Sequence, residues 1–241
     1  MGFYRFAGYT IELKNRYPFT ERLCVAYRTD ATEADFSVEA TEEQIRTEQQ
    51  EACHTDSAGY CESICLYRNL CSLLPQHDAF LLHAAVVRVG SDGYAFLGHS
   101  GAGKSTHMLL WQKTFPNEVH IVNGDKPILR RRTEDGIPRF YAFGTPWAGK
   151  EGLQSNTCAP LKGLCFIVQG KENSIRRLSP SDTAQRIFHQ FLIPKDAAGV
   201  MKLMQLADEL VRFVPAYELT CDVSEAAAIL SFTTMTGRTI E

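Results

Sequence analysis

The sequence predicts an α/β protein in which a phosphate-binding core with a mixed sheet carries a small N-terminal α/β lobe. Along the 241 residues, apolar stretches typical of strands alternate with stretches of helical periodicity. A glycine-rich loop joins a predicted strand at residues 94–97 to a predicted helix at 106–113. Turn signals at 90–93 and 134–136 predict hairpins, so part of the sheet must be antiparallel.

The N-terminal lobe is assigned to residues 1–75, before the first hairpin. Its predicted elements are a strand over 3–14, a strand over 34–39, a helix over 42–53, a loop over 54–59 and a helix over 60–74. Pro75 ends the last helix because proline cannot continue one.

Residues 76–241 are assigned to the core. The predicted elements are strands 80–89 and 94–97 as a hairpin, helix 106–113, strand 118–122, strands 127–132 and 137–143 as a hairpin, loop 144–156, strands 161–169 and 174–178 paired around 170–173, helices 181–192 and 197–213, strand 216–220, and helix 224–236. The strand that feeds the glycine-rich loop is thus the second arm of a hairpin. A mixed sheet follows from that connection.

Composition excludes several classes of partner. The 25 basic and 28 acidic residues give a net charge of −3, so no general basic field attracts nucleic acid or an anionic membrane. The N-terminus lacks the pattern of a secretory signal, and no apolar run approaches the ~18 residues of a spanning helix. We expect a cytoplasmic protein that binds neither nucleic acid nor membrane, and a homo-oligomer is left open.

The densest group among the eight cysteines predicts buried thiols rather than a metal site. Cys61 and Cys65 are four residues apart on a predicted helix with an apolar face, and Cys71 follows on the same helix. No C-x-x-C pair and no H-x-x-x-H pair occurs in the sequence. Core packing is the expected role of these thiols.

Residues 98–105, here called the phosphate loop, carry the pattern G-x-x-x-x-G-K-[ST]. Glycines let backbone N–H groups turn toward a polyphosphate, and the helix N-terminus adds positive charge. Lys104 is expected to reach the terminal phosphates of ATP, and the Ser105 hydroxyl to ligate Mg²⁺. The residues expected to hold the nucleotide are Gly98, Ser100, Gly101, Ala102, Gly103, Lys104, Ser105 and Thr106.

Asp125 and His83 are the next candidates. Asp125 follows the strand after the loop helix, where a carboxylate is expected to hold Mg²⁺ directly or through water. His83, in the first arm of the hairpin, is placed near the same sheet edge and could orient that carboxylate or transfer a proton. A histidine inside an apolar strand is equally typical of a core residue, so both interpretations stand.

Loop 144–156 supplies a further candidate, Lys150, as a substrate or phosphate contact. Trp147 in the same loop offers an apolar surface or a packing contact. Arg176 and Arg177 are candidates to supply a guanidinium for the charge of the transition state. At most one of them can face the site, because adjacent strand residues point to opposite faces. The run 130–132 of three arginines is expected at a solvated strand edge.

Five segments together resemble one kinase family. They are LLHAAVV, GHSGAGKSTHMLLW, VNGDKPIL, FGTPWAGK and PLKGLCFIVQGKENSIRRL. Over roughly residues 60–240 the chain is similar to kinases related to HPr kinase/phosphorylase, within the phosphoenolpyruvate-carboxykinase-like superfamily.

The resemblance implies phosphoryl transfer from ATP to a serine-type hydroxyl of a protein, a peptide or a free amino acid. It also implies Mg²⁺ at Ser105 and Asp125, and His83 near the carboxylate. The bifunctional members usually carry two adjacent aspartates where this chain has Gly124 and Asp125. A dedicated kinase is therefore expected, and the alternative is a non-catalytic nucleotide-binding module that regulates a peptide partner.

Overall fold

The computed structural model describes residues 2–52 and 56–239 and has a mixed α/β fold. Its strands are β1 (Gly2–Phe6), β2 (Tyr9–Lys14), β3 (Phe36–Glu39), β4 (Ala79–Leu81), β5 (Ala85–Val89), β6 (Asp92–Leu97), β7 (Val119–Asn123), β8 (Ile128–Glu134), β9 (Ile137–Phe143), β10 (Cys158–Gln169), β11 (Ser174–Arg177) and β12 (Ala216–Cys221). Its α-helices are α1 (Pro18–Leu23), α2 (Glu42–Glu51), α3 (Ala58–Leu73), α4 (Lys104–Thr114), α5 (Pro180–Ile187), α6 (Ala197–Phe213) and α7 (Glu225–Thr236). Across the described ranges, none of these helices has the length and apolar character that crossing a membrane requires.

The first sheet has the order β1-β2-β3. The single strand predicted over 3–14 is wrong, because β1 and β2 form an antiparallel hairpin. Ala7 and Gly8 turn the chain with φ of 51° and 81°, the positive values that a two-residue hairpin turn requires. The helix predicted over 42–53 is α2, and residues 53–55 of that helix and the following loop lie outside the described residues.

One core cluster joins the first sheet to α3. Buried side chains such as Phe6, Ile11, Leu66 and Leu70 pack in it, together with the thiols of Cys61, Cys65 and Cys71. Burial raises the pKa of the Cys71 thiol well above its usual range, so the group stays a neutral, apolar thiol. No cluster of three metal-ligating side chains occurs within the described residues. The prediction that these cysteines pack in the core is confirmed.

The same cluster also holds Leu81, Ile128 and Trp147, which follow the division assigned at residues 75 and 76. Phe6 and Trp147 are in ring contact, with centroids 5.7 Å apart. Apolar side chains from both predicted parts share this core, so the core marks no boundary between them. The division into two lobes stays a prediction.

The larger sheet is mixed, as predicted. β6 pairs parallel with β10 and antiparallel with β5, and β5 pairs antiparallel with β7. Two antiparallel steps separate β6 from β7, so β6, β7 and β10 all run in one direction. Their carboxyl ends therefore lie at the same edge of the sheet.

The hairpin predicted for 161–169 and 174–178 is wrong. β12 lies between them, parallel to β10 and antiparallel to β11, so that Thr220 is paired with both Val168 and Ser174. Burial explains the order: Leu219 of β12 is fully buried, whereas Arg176 of β11 is exposed. The apolar strand takes the interior position and the polar strand takes the edge.

Of the three arginines at 130–132, Arg130 pairs with Ala79 of β4, Arg131 is half-buried and Arg132 is exposed. The solvated edge predicted for the run is therefore wrong for Arg130 and Arg131. Arg130 donates a hydrogen bond of 2.8 Å to the carbonyl of Ala7, and its guanidinium lies 3.8 Å from the ring centroid of Tyr9. Arg131 donates to Glu209 at 2.7 Å. These side chains tie β8 to the first sheet and to α6.

Candidate active site

The phosphate loop leaves β6 at the edge where β7 also ends. Gly98, Gly101 and Gly103 have φ of 147°, 80° and 104°, values that side-chain-bearing residues rarely adopt. A Cβ at Gly98 would lie 2.9 Å from that of Ala102, so the loop closes too tightly for a larger residue. A Cβ at Gly101 would meet nothing within 4 Å, which leaves open space beside the loop.

α4 begins at Lys104, within the phosphate loop. Its N-cap is Gly103, and no side chain of the described residues caps it. Its first backbone N–H groups are therefore available to an anion, and the helix dipole favours negative charge there. Ser100 and Thr106 are exposed, and Ser105 is half-buried. No hydrogen bond involves the Ser105 hydroxyl in the part of the chain that the structure describes.

Lys104 reaches back over the phosphate loop. Its side chain is only 7% exposed, and Nζ donates to the carbonyls of Gly98 at 2.9 Å and His99 at 3.3 Å. Burial lowers the pKa of Lys104; the Asp125 carboxylate opposes this shift and the Lys126 ammonium adds to it. The ammonium is thus positioned by carbonyl oxygens that a phosphate oxygen could replace.

His83 reaches the site by a route that differs from the prediction. The strand predicted over 80–89 is two strands, β4 and β5, and His83 lies in the break between them. The N–H of His83 donates to the carbonyl of Gln190 at 2.8 Å, and that of Ala84 donates to the carbonyl of Asp125 at 3.0 Å. The break brings the imidazole to the end of β7.

The Asp125 carboxylate is held from two sides. Nε2 of His83 lies 3.0 Å from Oδ1, and the Lys126 ammonium contacts Oδ2. Burial raises the pKa of Asp125, but hydrogen bonds from His83 and Lys126 and the charge of Lys126 outweigh it and lower the pKa to about 2. The group is therefore an anion throughout the physiological pH range.

Asn123, which sequence reasoning missed, fixes the turn that carries Asp125. Its side-chain oxygen accepts from the N–H groups of Asp125 at 2.9 Å and Lys126 at 2.6 Å. Its amide nitrogen donates to the carbonyl of Thr145 at 3.0 Å, and the Thr145 hydroxyl donates to the carbonyl of Lys126 at 2.7 Å. Asn123 and Thr145 are completely buried, so this network is rigid.

Backbone carbonyls crowd the position that a side chain at Gly124 would take. A Cβ at this position would lie 3.3 Å from the carbonyl oxygens of both Ala148 and Leu153. The N–H of Gly124 also donates to the carbonyl of Leu153 at 2.8 Å. Glycine in place of the first of two adjacent aspartates thus matches the close packing of loop 144–156 against the end of β7.

Loop 144–156 approaches Asp125 through Gly149, where a Cβ would lie 3.0 Å from the Cβ of Asp125. Trp147 anchors the loop. Its ring centroid lies 5.1 Å from that of Tyr67, in the core cluster that joins the first sheet to α3. Trp147 is 6% exposed and is a packing residue rather than an open surface. Lys150 is exposed and has no ion pair or hydrogen bond within the described residues, so its contact with substrate stays a prediction.

Gln190 links the two halves of the site, and no sequence motif marks it. With its amide oriented to satisfy its neighbours, its nitrogen donates to the carbonyls of His83 and Gly98, each at 3.1 Å. The phosphate loop and the His83 segment are therefore joined by one buried side chain.

A cleft of about 340 Å³ adjoins the opposite side of the phosphate loop. Gly101, Thr106, Leu110, Ile167 and Val223 are among its lining residues. Such a mostly apolar hollow beside a phosphate site can hold the nucleoside of a nucleotide. Arg176 does not contribute to the site, because it donates to Glu218 at 2.7 Å on the outer strand β11.

No family model matches the chain, and no curated protein matches its sequence. Among solved structures, an HPr(Ser) kinase/phosphatase from Coxiella burnetii matches with a TM-score of 0.35 and 12% identity, over 65% of this chain and 88% of that one. A likeness of this size identifies neither a family nor an activity.

Proposed function

We propose that the chain is a Mg²⁺-dependent kinase that transfers the γ-phosphoryl group of ATP to a serine-type hydroxyl of a protein, peptide or free amino acid. One observation carries the proposal: an ionised carboxylate, bonded to a histidine, shares a sheet edge with a phosphate loop of full pattern. Phosphoryl transfer needs these parts together, namely a cradle for the phosphates and a group that handles the acceptor proton.

The phosphates belong at the N-terminus of α4. Glycines of the loop leave backbone N–H groups free to bind them, and Lys104 exchanges its bonds to the carbonyls of Gly98 and His99 for bonds to phosphate oxygens. The cleft lined by Thr106 and Ile167 takes the nucleoside. The γ-phosphoryl group then faces the other side of the loop, toward His83.

The residues present fit Mg²⁺. A hydroxyl with no hydrogen-bond partner in the described structure and an ionised carboxylate are the hard oxygen ligands this ion prefers, and Ser105 and Asp125 provide them. Held by these two residues, the ion would neutralise charge on the phosphates. Lys126 contacts one Asp125 oxygen, so metal binding requires the ammonium to give way.

In the transfer step, the acceptor hydroxyl oxygen forms a bond to the γ-phosphorus while the bond from that phosphorus to the β,γ-bridging oxygen of ATP breaks. The leaving group is ADP, and the hydroxyl proton passes to Asp125 or His83. Their mutual hydrogen bond of 3.0 Å lets either receive it. Lys104 balances the charge that develops on the bridging oxygen.

A non-catalytic nucleotide-binding module is the second candidate. It is favoured by Gly124, where the second acidic side chain is missing and the carbonyls of Ala148 and Leu153 crowd the position it would take. It is also favoured by the occupation of both Asp125 oxygens by His83 and Lys126. Such a module would bind ATP and a peptide partner without turnover.

One experiment separates the two functions. Calorimetry measures ATP binding with Mg²⁺, and ADP release is measured with serine, serine peptides and serine-containing proteins as acceptors. We expect wild type to bind and turn over, and Asp125→Asn to bind ATP with turnover reduced at least roughly 100-fold. Binding with no turnover on any acceptor would select the module.

A further inference from the structure

A second cleft, of about 450 Å³, opens beside His83 and Lys126. It shares no lining residue with the cleft beside Thr106 and Ile167 that is proposed to hold the nucleoside. α3 forms one wall and residues 189–192 form the other. We call it the acceptor cleft, because the proposed function directs the γ-phosphoryl group toward His83. Its volume is in the range of roughly 300 to 1,000 Å³ that ligand sites of drug size occupy.

Tyr67 of α3 lines the acceptor cleft and is 5% exposed. Its hydroxyl has no hydrogen bond to a nitrogen or oxygen within the described residues, and the thiol of Cys71 is a weak polar neighbour. A buried hydroxyl without a strong partner is costly, and a polar ligand in the cleft would relieve that cost.

A groove of about 680 Å³ continues the acceptor cleft, and we call it the outer groove. Glu48 and Arg68, which form an ion pair, line both. α3 and the segment 189–196 bound both, since Lys195 and Asp196 line the outer groove. The two hollows are neighbours on either side of this ion pair, and we call them together the trough.

Charge in the outer groove is one-sided. Its lining carries the acidic residues Glu39, Glu43, Glu48, Glu51 and Asp196 and the basic residues Arg68 and Lys195. Since Arg68 is paired with Glu48, four carboxylates face one lysine. A positively charged partner would be attracted to this surface, and the paired charges would fix its alignment along the groove.

We propose that the trough binds the phosphoryl acceptor as an extended polypeptide segment, with its serine-type hydroxyl beside His83 and its lysine or arginine side chains over the outer groove. This inference rests on the proposed kinase function and narrows its acceptor to a basic peptide segment. A free amino acid would leave the outer groove without an occupant.

The test uses two synthetic peptides with a single serine, one flanked by lysines and the other by glutamates, together with free serine. Fluorescence anisotropy measures peptide binding in the presence of Mg²⁺ and a non-hydrolysable ATP analogue. Phosphate incorporation from ATP is measured separately. We expect the lysine peptide to bind at least tenfold tighter than the glutamate peptide and to be the best acceptor.

The variant pair is matched in charge. Glu43→Gln with Glu51→Lys changes the outer groove by three charge units, on exposed side chains outside the catalytic residues. Glu33→Gln with Glu172→Lys makes the same change on exposed residues that line neither the cleft nor the groove. The first pair should reduce the preference for the lysine peptide at least fivefold, and the second should leave it unchanged.

Failure of the two proposals is distinguishable. Equal binding of both peptides by wild type, or the same response of both variant pairs, overturns the trough even when free serine is phosphorylated. Selective, groove-dependent binding of the lysine peptide without phosphate incorporation supports the trough and overturns the kinase.

Discussion

His83 and Asp125 are joined by a hydrogen bond of 3.0 Å between Nε2 and Oδ1, although 41 residues separate them along the chain. The bond exists because the chain leaves the β4 direction at Leu82 and pairs the N–H of Ala84 with the carbonyl of Asp125. We expect His83→Gln to lower kcat roughly 10- to 100-fold, since it removes a proton acceptor and the orientation of the carboxylate. His120→Gln, on an exposed residue of β7, is the matched control, and equal kcat in both variants would contradict the role.

Lys104 is expected to be indispensable for turnover. Its ammonium is the buried cation of the phosphate loop, and Lys104→Ala leaves the phosphate charge without it. We expect turnover to fall below detection and ATP binding, measured by calorimetry, to weaken. Lys113→Ala on the exposed side of the same helix should behave as wild type. Near-normal phosphoryl transfer by Lys104→Ala would remove the basis of the kinase assignment.

Lys126 is expected to set the proton affinity of Asp125. Burial raises the pKa of that carboxyl, and the hydrogen bond from His83, together with the hydrogen bond and the charge of Lys126, lowers it to about 2. Removal of both in Lys126→Met lets the pKa rise, so the carboxylate becomes protonated at a higher pH. The acid limb of kcat/KM should move upward by about one pH unit or more. An acid limb at the same pH in Lys126→Met and in wild type would show that another group controls it.

Gly124→Asp is expected to destabilise the fold rather than improve catalysis. The new Cβ lies 3.3 Å from two carbonyl oxygens, and the negative charge is added beside these carbonyls and the Asp125 carboxylate. We expect a loss of about 1 to 3 kcal/mol in the free energy of unfolding, measured by urea denaturation. Gly124→Ala, which adds the Cβ alone, should lose less. A stable and more active Gly124→Asp would show that the loop moves aside easily.

Trp147→Ala tests whether the loop is anchored by its tryptophan. The indole contacts the rings of Phe6 and Tyr67 in the core cluster that joins the first sheet to α3. We expect a loss of about 3 to 5 kcal/mol in the free energy of unfolding and a fall in kcat, because Gly149 beside Asp125 loses its support. Trp147→Phe should recover most of both, whereas full activity in Trp147→Ala would separate the loop from the site.

Local signals in the sequence were sufficient for the glycine-rich turn between β6 and α4, for α6 and for the mixed sheet. Glycine at 98, 101 and 103 marks the positive φ values directly, and the periodicity of 197–213 agrees with α6 at both ends. The position of Asp125 after β7 followed from the order of strand, loop and helix. Each of these features depends on residues that are near each other in the chain.

Features that depend on distant residues were not predictable. The apolar run 80–89 contains no breaker, and its interruption at His83 arises from bonds to Gln190 and Asp125. The place of β12 between β10 and β11 depends on competition between strands for burial. Asn123, Thr145 and Gln190 act through hydrogen bonds that no motif encodes.

The carbonyl of Gly98 accepts from Lys104 on one side and from Gln190 on the other. In the proposed function Lys104 would turn to the nucleotide while Gln190 still held the end of β6. The binding site for ATP would then be formed in advance, and little ordering entropy would be lost on binding. The same glutamine also donates to the carbonyl of His83, so in the proposed function one side chain would connect the nucleotide site to the acceptor site.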